Sequence, residues 1–152
     1  MLFSFGKVNG PNRSKSLIPI RCNSQIFRKH YPAIITDGDT RRKGIDIAVI
    51  DAGFKHLPSI ELLDNINIKG QKSFVDGMQN AYIEGNQHGL NVLSCIATNK
   101  PEYFVGTAPD AYFWLLTSED SRSEFPIEED YWLAAIEYAD SVGVDVVNTS
   151  LG

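Results

Sequence analysis

The sequence has 152 residues, 43% of them hydrophobic, which is enough for one globular domain with a buried core. No apolar run approaches the roughly 18–20 residues that a helix needs to span a bilayer. Two cysteines are too few to form a disulfide framework, so the composition excludes a disulfide-stapled scaffold as well as a membrane span.

Residues 1–44 differ from the rest of the chain in charge and composition. They hold nine Lys or Arg against two Asp, whereas residues 45–152 hold five basic residues against seventeen acidic ones. The segment is rich in Ser, Asn, Pro and Gly, so we predict a basic linker or pro-segment remnant, with a short helix near residues 25–31. It lacks the aromatic interleaving of a nucleic-acid-binding arm, and we predict no nucleic-acid partner. Residues 1–30 also lack the apolar core of a secretory signal.

The first predicted strand runs from Ile45 to Ile50 and ends on Asp51. Its apolar, partly β-branched run without sustained alternation is typical of a strand buried on both faces of a parallel sheet. A shorter strand is predicted at 66–68, ended by Gly70, and two further buried strands are predicted at 111–116 and 144–148.

Two helices are predicted between these strands. The first begins at His88, and its apolar residues up to Ala97 recur at helical spacing, with Cys95 predicted to be a buried thiol. The second begins at Pro126 and ends before Gly143, with acidic residues at the positive end of its dipole. The residues predicted for the apolar face of this second helix are Trp132, Ala135, Ile136 and Ala139.

The order of these elements predicts an α/β sandwich around a mostly parallel sheet. Four strands and two helices would leave one sheet face and one sheet edge uncovered, which natural domains avoid. We therefore expect residues 45–152 to be the front part of a larger domain.

Asp51 and His88 are the residues whose positions suggest chemistry. Ligands and reacting groups in open α/β sheets lie just beyond the carboxyl ends of the strands, where Asp51 is predicted. A buried carboxylate that accepts a hydrogen bond from one histidine ring nitrogen leaves the other nitrogen free to act as a general base. His88 at a helix start is equally compatible with a metal ligand or a helix cap, and Asp51 with a turn.

Other readings remain open at this point. No metal site is predicted, because His30 and His56 show no ligand spacing with His88 and there is no cysteine pair. A flavodoxin-like signalling domain with Asp51 as phosphoacceptor would need a lysine on a late strand, but no lysine follows Lys100. The acidic cluster within residues 119–130 could supply oxygens to Ca²⁺ but has no EF-hand spacing, so a helix-dipole and solvation role is preferred.

Four blocks of the sequence follow one another along the chain: IAVIDAGF at 47–54, HGLNVLS at 88–94, GTAPDA at 106–111 and GVDVVNTSLG at 143–152. They resemble successive blocks of the subtilisin-like serine proteases (subtilases, peptidase family S8). They occur in that family's order, and the resemblance covers about 70% of the chain, from Gly44 to Gly152. An acidic stretch within residues 118–132 resembles a branch of the family that is common in Bacteroidetes.

The resemblance implies a fold and three site roles. It implies a three-layer α/β/α domain of the subtilisin type, of which residues 45–152 form the N-terminal portion of the catalytic domain. Asp51 matches the triad aspartate and His88 the general base. The segment formed by Ser150, Leu151 and Gly152 matches the strand that pairs with the main chain of an extended peptide substrate.

The chain departs from the family pattern in two places. Leu90 stands where the family has threonine, which predicts a packing change in the first helical turn. The nucleophile block Gly-Thr-Ser and the oxyanion asparagine are absent; Asn148 does not match that asparagine and is expected to bond neighbouring backbone. The function implied is a serine endopeptidase present here as a fragment that lacks its nucleophile. The alternative is an inactive truncated remnant or an interaction-only protein.

The resemblance also implies the partners and surroundings of the full protein. The expected substrate is a peptide or protein, and no organic cofactor is expected, although structural calcium is frequent in the family. Secretion or display at the cell surface is expected from the family. The sequence predicts no metal ligands, no membrane span and no particular oligomeric state.

Overall fold

The computed structural model describes residues 4–7 and 44–151, except 79, 81, 83–85, 102 and 123; for residues 4–7 only the backbone is described. Most of the predicted basic linker, its short helix at 25–31 and the predicted substrate-binding Gly152 lie outside the described residues.

The described chain contains seven strands and two α-helices, with three strands before the first helix and three between the helices. Two short 3₁₀ turns, Leu57–Ser59 and Glu61–Leu63, follow the second strand. The helices are α1 (His88–Ala97) and α2 (Glu128–Ser141). The strands are β1 (Ser4–Lys7), β2 (Asp46–Asp51), β3 (Asn67–Ser73), β4 (Asn99–Lys100), β5 (Phe104–Val105), β6 (Tyr112–Thr117) and β7 (Val146–Thr149).

The main sheet has five strands in the order β1-β7-β2-β6-β3. Strand β2 lies at its centre and pairs in parallel with β6 and β7, and β3 pairs in parallel with β6. Strand β1 alone is antiparallel and covers the outer edge of β7. Because β2, β6 and β7 run in the same direction, their carboxyl ends meet at one edge of the sheet, with Asp51 opposite Thr117.

Alternate residues of the central strands face two separate cores, which gives the domain three layers. On one face, Ile47 and Val49 pack with Phe113, Leu115 and the apolar face of α1. On the other face, side chains of β2 and β6 pack against α2. The buried residues of this second core are Ala48, Ile50, Leu116, Ala135, Ala139, Val144 and Val147. Continuous burial of β2 explains its uninterrupted apolar run.

The structure confirms the predicted α/β class and the mostly parallel sheet, and it corrects several local predictions. Strand β3 does not end at Gly70 but continues to Ser73. The Trp114 ring of β6 packs directly on Gly70, where an added Cβ would lie 2.6 Å from the ring. Glycine therefore fits at this position within β3. Helix α2 begins at Glu128, two residues after Pro126.

The predicted burial of Cys95 was wrong. The side chain of Cys95 is exposed, because it lies on the face of α1 opposite its core residues Val92, Leu93 and Ile96. Trp132 is 38% exposed, and its indole N–H donates a hydrogen bond to Thr149 Oγ1 at 3.1 Å. The strand pairs β4–β5 and β1–β7 were not predicted.

Among the described residues, no helix has the combination of length and hydrophobicity required to cross a membrane.

Candidate active site

Asp51 is the last residue of the central strand and is completely buried. Its Oδ1 accepts a hydrogen bond from the Ala52 N–H at 2.8 Å, which fixes the carboxylate at the turn that leaves the sheet. Buried carboxylates are rare unless they are paired or hydrogen-bonded. The central position of β2 thus places a hydrogen-bonded carboxylate where the parallel strands of the sheet end.

His88 is brought to this carboxylate by the loop before α1. Asn86 donates its backbone N–H to the Ala52 carbonyl at 3.1 Å, and its side-chain oxygen accepts the His88 N–H at 3.0 Å. The helix therefore begins directly above the end of β2. The next residue, Gly89, permits this contact, because a Cβ there would lie 2.7 Å from the Gly53 carbonyl and 2.8 Å from the Asp51 Cβ.

The two side chains are in direct contact. His88 Nδ1 lies 2.9 Å from Asp51 Oδ1 and 3.1 Å from Oδ2. With Asp51 ionised as an acceptor, Nδ1 carries a proton and donates it, which leaves the Nε2 lone pair available in the neutral ring. The His88 side chain is 37% exposed, and within the described part of the chain no group hydrogen-bonds Nε2.

Burial and hydrogen bonding act in opposite directions on Asp51. Removal from water raises the pKa of Asp51 above its ordinary value of 3.8. The hydrogen bond and positive charge of His88, together with the Ala52 N–H, lower the pKa and offset part of that rise. The carboxylate is therefore costly to ionise, and its contact with His88 is what favours the charged form.

The end of β7 lies beside this pair. The Ser150 N–H donates to the Ile50 carbonyl at 3.4 Å, so the chain leaving β7 runs next to the residue before Asp51. Leu151 is half-buried and packs on the α2 face of the sheet. Asn148 is buried, and its side-chain amide donates to the Ser150 hydroxyl at 3.1 Å; the predicted bond to neighbouring backbone stays a prediction.

A cleft of about 720 Å³ adjoins the pair, and sequence reasoning did not anticipate it. It is bounded by the loop after β6, the beginning of α2 and the end of β7. Ser118, which lines it, donates its N–H to the Asp51 carbonyl at 3.2 Å. The acidic residues that line it are Glu119, Glu124, Glu128, Glu129 and Asp130.

The sequence predicted three of these acids at the start of a helix, and Glu128, Glu129 and Asp130 do occupy the first turn of α2. The sequence did not predict that the loop after β6 lies beside the first turn of α2, so that Glu119 and Glu124 line the same cleft. Burial raises the pKa of Glu119, and the negative charge of Asp51 raises it further. The charges of Asp51 and His88 thus act on the acidic loop after β6.

The described residues include no group of three or more His, Cys, Asp or Glu side chains arranged to hold a metal ion. The histidines His56 and His88 lie on different segments, and His88 is engaged with Asp51. At the carboxyl ends of the strands, the imidazole of His88 is oriented by the contact of Nδ1 with Asp51, and Nε2 bears no hydrogen bond from the described residues. This is the geometry that a general base requires.

Together, the fold and this pair define a class: an α/β protein with a carboxylate–imidazole pair at the carboxyl edge of a parallel sheet. Comparison with known proteins narrows that class. Over 122 residues, 80% of the chain, it is 32% identical to Subtilisin E of Bacillus subtilis (strain 168). Over the same length it is 31% identical to Subtilisin of Bacillus pumilus and to Subtilisin J of Geobacillus stearothermophilus.

The chain therefore contains a subtilase-like region, similar to these serine proteases. The match spans 30% of Subtilisin E and of Subtilisin J, and 42% of the Bacillus pumilus protein. No family model matches the chain.

Proposed function

We propose that this chain supplies the aspartate and the general-base histidine of a subtilisin-type serine endopeptidase. The observation that carries the proposal is the contact of His88 Nδ1 with both oxygens of the buried Asp51 carboxylate, at 2.9 and 3.1 Å. The similarity to subtilisins over 80% of the chain supports it. The acidic stretch at 118–132 supports placement in the Bacteroidetes-type branch of peptidase family S8.

Each side chain has a defined part in this mechanism. Asp51 holds the imidazole in the tautomer with its proton on Nδ1 and stabilises the imidazolium that forms during reaction. Nε2 of His88 accepts the proton of a serine hydroxyl as that oxygen attacks the scissile carbonyl, and then donates the proton to the leaving amine. No organic cofactor is needed for this chemistry.

The attacking serine is proposed to lie outside residues 1–152. The Ser94 hydroxyl donates to the Asn91 carbonyl on α1, and that of Ser150 accepts from Asn148. Ser118 is completely buried. None of these three hydroxyls is presented to Nε2 of His88.

The proposed substrate is a peptide or protein in extended conformation. Its main chain would pair with the segment Ser150, Leu151 and Gly152, of which Ser150 bonds the residue before Asp51. Strand pairing of this kind recognises backbone rather than particular side chains. Action outside the cell, secreted or on the surface, is the setting that the subtilisin relatives favour.

The phosphoacceptor alternative is disfavoured by one observation. Asp51 is completely buried and already hydrogen-bonded to His88 and to the Ala52 N–H. A phosphoacceptor carboxylate must instead be open to the incoming phosphoryl group. The alternative of an inactive or interaction-only protein is separated from the proposal by the following experiment.

The test is peptidase kinetics in the full-length gene product that carries this chain. For a subtilisin-type triad, loss of the histidine lowers kcat by about 10⁶ and loss of the aspartate by about 3 × 10⁴, values known from subtilisin itself. We expect losses of this order for His88→Asn and Asp51→Asn. The matched controls are His56→Asn, at an exposed left-handed residue that asparagine tolerates, and Asp76→Asn at an exposed position. Wild-type activity in His88→Asn would refute the proposal.

A further inference from the structure

Four hydrogen bonds, together with the covalent links within each residue, join the Asp51–His88 pair into a closed ring. Asp51 Oδ1 accepts the Ala52 N–H at 2.8 Å, and the Ala52 carbonyl accepts the Asn86 N–H at 3.1 Å. The side-chain oxygen of Asn86 accepts the His88 N–H at 3.0 Å, and His88 Nδ1 lies 2.9 Å from Asp51 Oδ1. The ring therefore connects the carboxylate to the imidazole by a second route besides their direct contact.

Asn86 contributes to this ring a side chain that belongs to neither partner of the pair. Its own carbonyl accepts the Lys55 N–H at 3.2 Å, so its backbone is bonded twice to the turn that follows β2. Asparagine suits the next step, because its side-chain oxygen readily accepts a hydrogen bond from the backbone two residues further on. The Asn86 side chain thus ties the first residue of α1 to the turn that holds Asp51.

The start of α1 depends on this bond. The first N–H groups of a helix have no partner within the helix. Gln87, the residue directly before α1, makes no side-chain hydrogen bond to the first turn. Removal of the Asn86 amide would leave the His88 N–H without its acceptor and would release the first residue of the helix from the turn after β2.

The position of the imidazole leaves little tolerance for such a release. His88 Nδ1 contacts both carboxylate oxygens, at 2.9 and 3.1 Å, and hydrogen bonds weaken steeply with misalignment. The Asp51 side chain is completely buried, so no water in contact with it would replace a displaced imidazole. A displacement of about 1 Å at reacting groups can cost about 100-fold in rate.

We propose that Asn86 is a positioning residue for His88. Its side chain fixes the backbone of His88 so that Nδ1 stays on the Asp51 carboxylate and Nε2 stays directed at the reacting hydroxyl. The proposal rests on the proposed function for the reaction that His88 serves. The positioning itself is a property of the ring and is measured without catalysis.

The test uses the full-length gene product that carries this chain and the variant Asn86→Ala. We expect the proton resonance of His88 Nδ1 to shift or to be lost, and kcat to fall by about 10- to 100-fold. KM should change by less than about twofold, because the contacts of Asn86 are with the backbone of Ala52, Lys55 and His88.

Two further variants separate positioning from a general loss of structure. Asn86→Asp keeps an oxygen acceptor at the same reach, and a negative charge is favourable at a helix start, so it should restore the resonance and most of kcat. Asn91→Ala makes the same substitution as Asn86→Ala at an exposed residue one turn into α1 and should retain the wild-type resonance and kcat. Circular dichroism of each variant confirms that it is folded.

Three results would overturn the proposal: a wild-type Nδ1 resonance in Asn86→Ala, an equal loss in Asn91→Ala, or a folded Asn86→Asp without recovery of the resonance. The resonance and the kinetics fail separately. A resonance that depends on Asn86 in a protein without peptidase activity would refute the proposed function alone. An active peptidase whose resonance and kcat are indifferent to Asn86→Ala would refute the positioning role alone.

Discussion

The role proposed for Asp51 and the stability of the fold make opposite demands on this residue. The carboxylate is completely buried, and burial raises its pKa, while His88 and the Ala52 N–H offset part of this effect. Holding Asp51 ionised at neutral pH therefore costs folding free energy. The benefit is an imidazole with a fixed tautomer. Strain of this kind is expected at catalytic sites rather than in structural cores.

The variant Asp51→Asn tests this trade-off. Since the folded-state pKa is raised, the contribution of Asp51 to stability is fully present below its ordinary pKa of 3.8 and is lost as pH rises through the folded-state value. Asparagine does not ionise. The melting temperature of Asp51→Asn relative to wild type should therefore increase as pH rises from acid to neutral, measured by circular dichroism.

The control for that series is Asp76→Asn, which removes the same charge at an exposed position. A relative melting temperature of Asp51→Asn that falls with rising pH would show that hydrogen bonding to His88, and not burial, dominates the ionisation of Asp51.

Helix α1 shows what periodicity can and cannot predict for an element. Its apolar spacing predicted a helix that begins at His88 and cannot continue at Pro101, and in the structure the helix begins at His88 and ends at Ala97. The same pattern did not distinguish Cys95, because cysteine counts as apolar while its position on the helix faces solvent. The β4–β5 pair that follows was missed because each strand has two residues, too short for any alternation.

Both ends of α1 are fixed by glycines in close contact with backbone. At its start, a Cβ on Gly89 would lie 2.7 Å from the Gly53 carbonyl, and beyond its end, a Cβ on Gly106 would lie 2.3 Å from the Ile96 carbonyl. In the sequence, Gly89 and Gly106 stood out only as parts of motifs, because these contacts form when the chain folds back on itself.

The variants Gly89→Ala and Gly106→Ala should both lower the free energy of unfolding by about 1–3 kcal/mol, because overpacking forces backbone to move. Only Gly89→Ala should also shift the proton resonance of His88 Nδ1, because Gly89 lies against Asp51. Denaturant unfolding and proton NMR measure the two effects. An unchanged resonance in Gly89→Ala would mean that this glycine does not position the pair.

For the molecule as a whole, the layered α/β architecture was predictable from the sequence. Strands such as β2 that are buried on both faces have an uninterrupted apolar run, which the sequence shows directly. The position of β1 was not predictable, since pairing with β7 depends on backbone contacts across more than a hundred residues of sequence. The contact between Asp51 and His88 was predicted from motif order. The acidic cleft was not, because it forms only where three separate segments meet.

The central claim is that His88, oriented by Asp51, serves as the base for a serine that residues 1–152 do not supply. The most direct measurement is labelling of the full-length gene product with a fluorophosphonate, followed by mapping of the modified serine by mass spectrometry in wild type and His88→Asn. The account predicts one labelled serine outside residues 1–152 and loss of labelling in His88→Asn. Labelling of a serine within 44–151, or labelling that persists without His88, would contradict it.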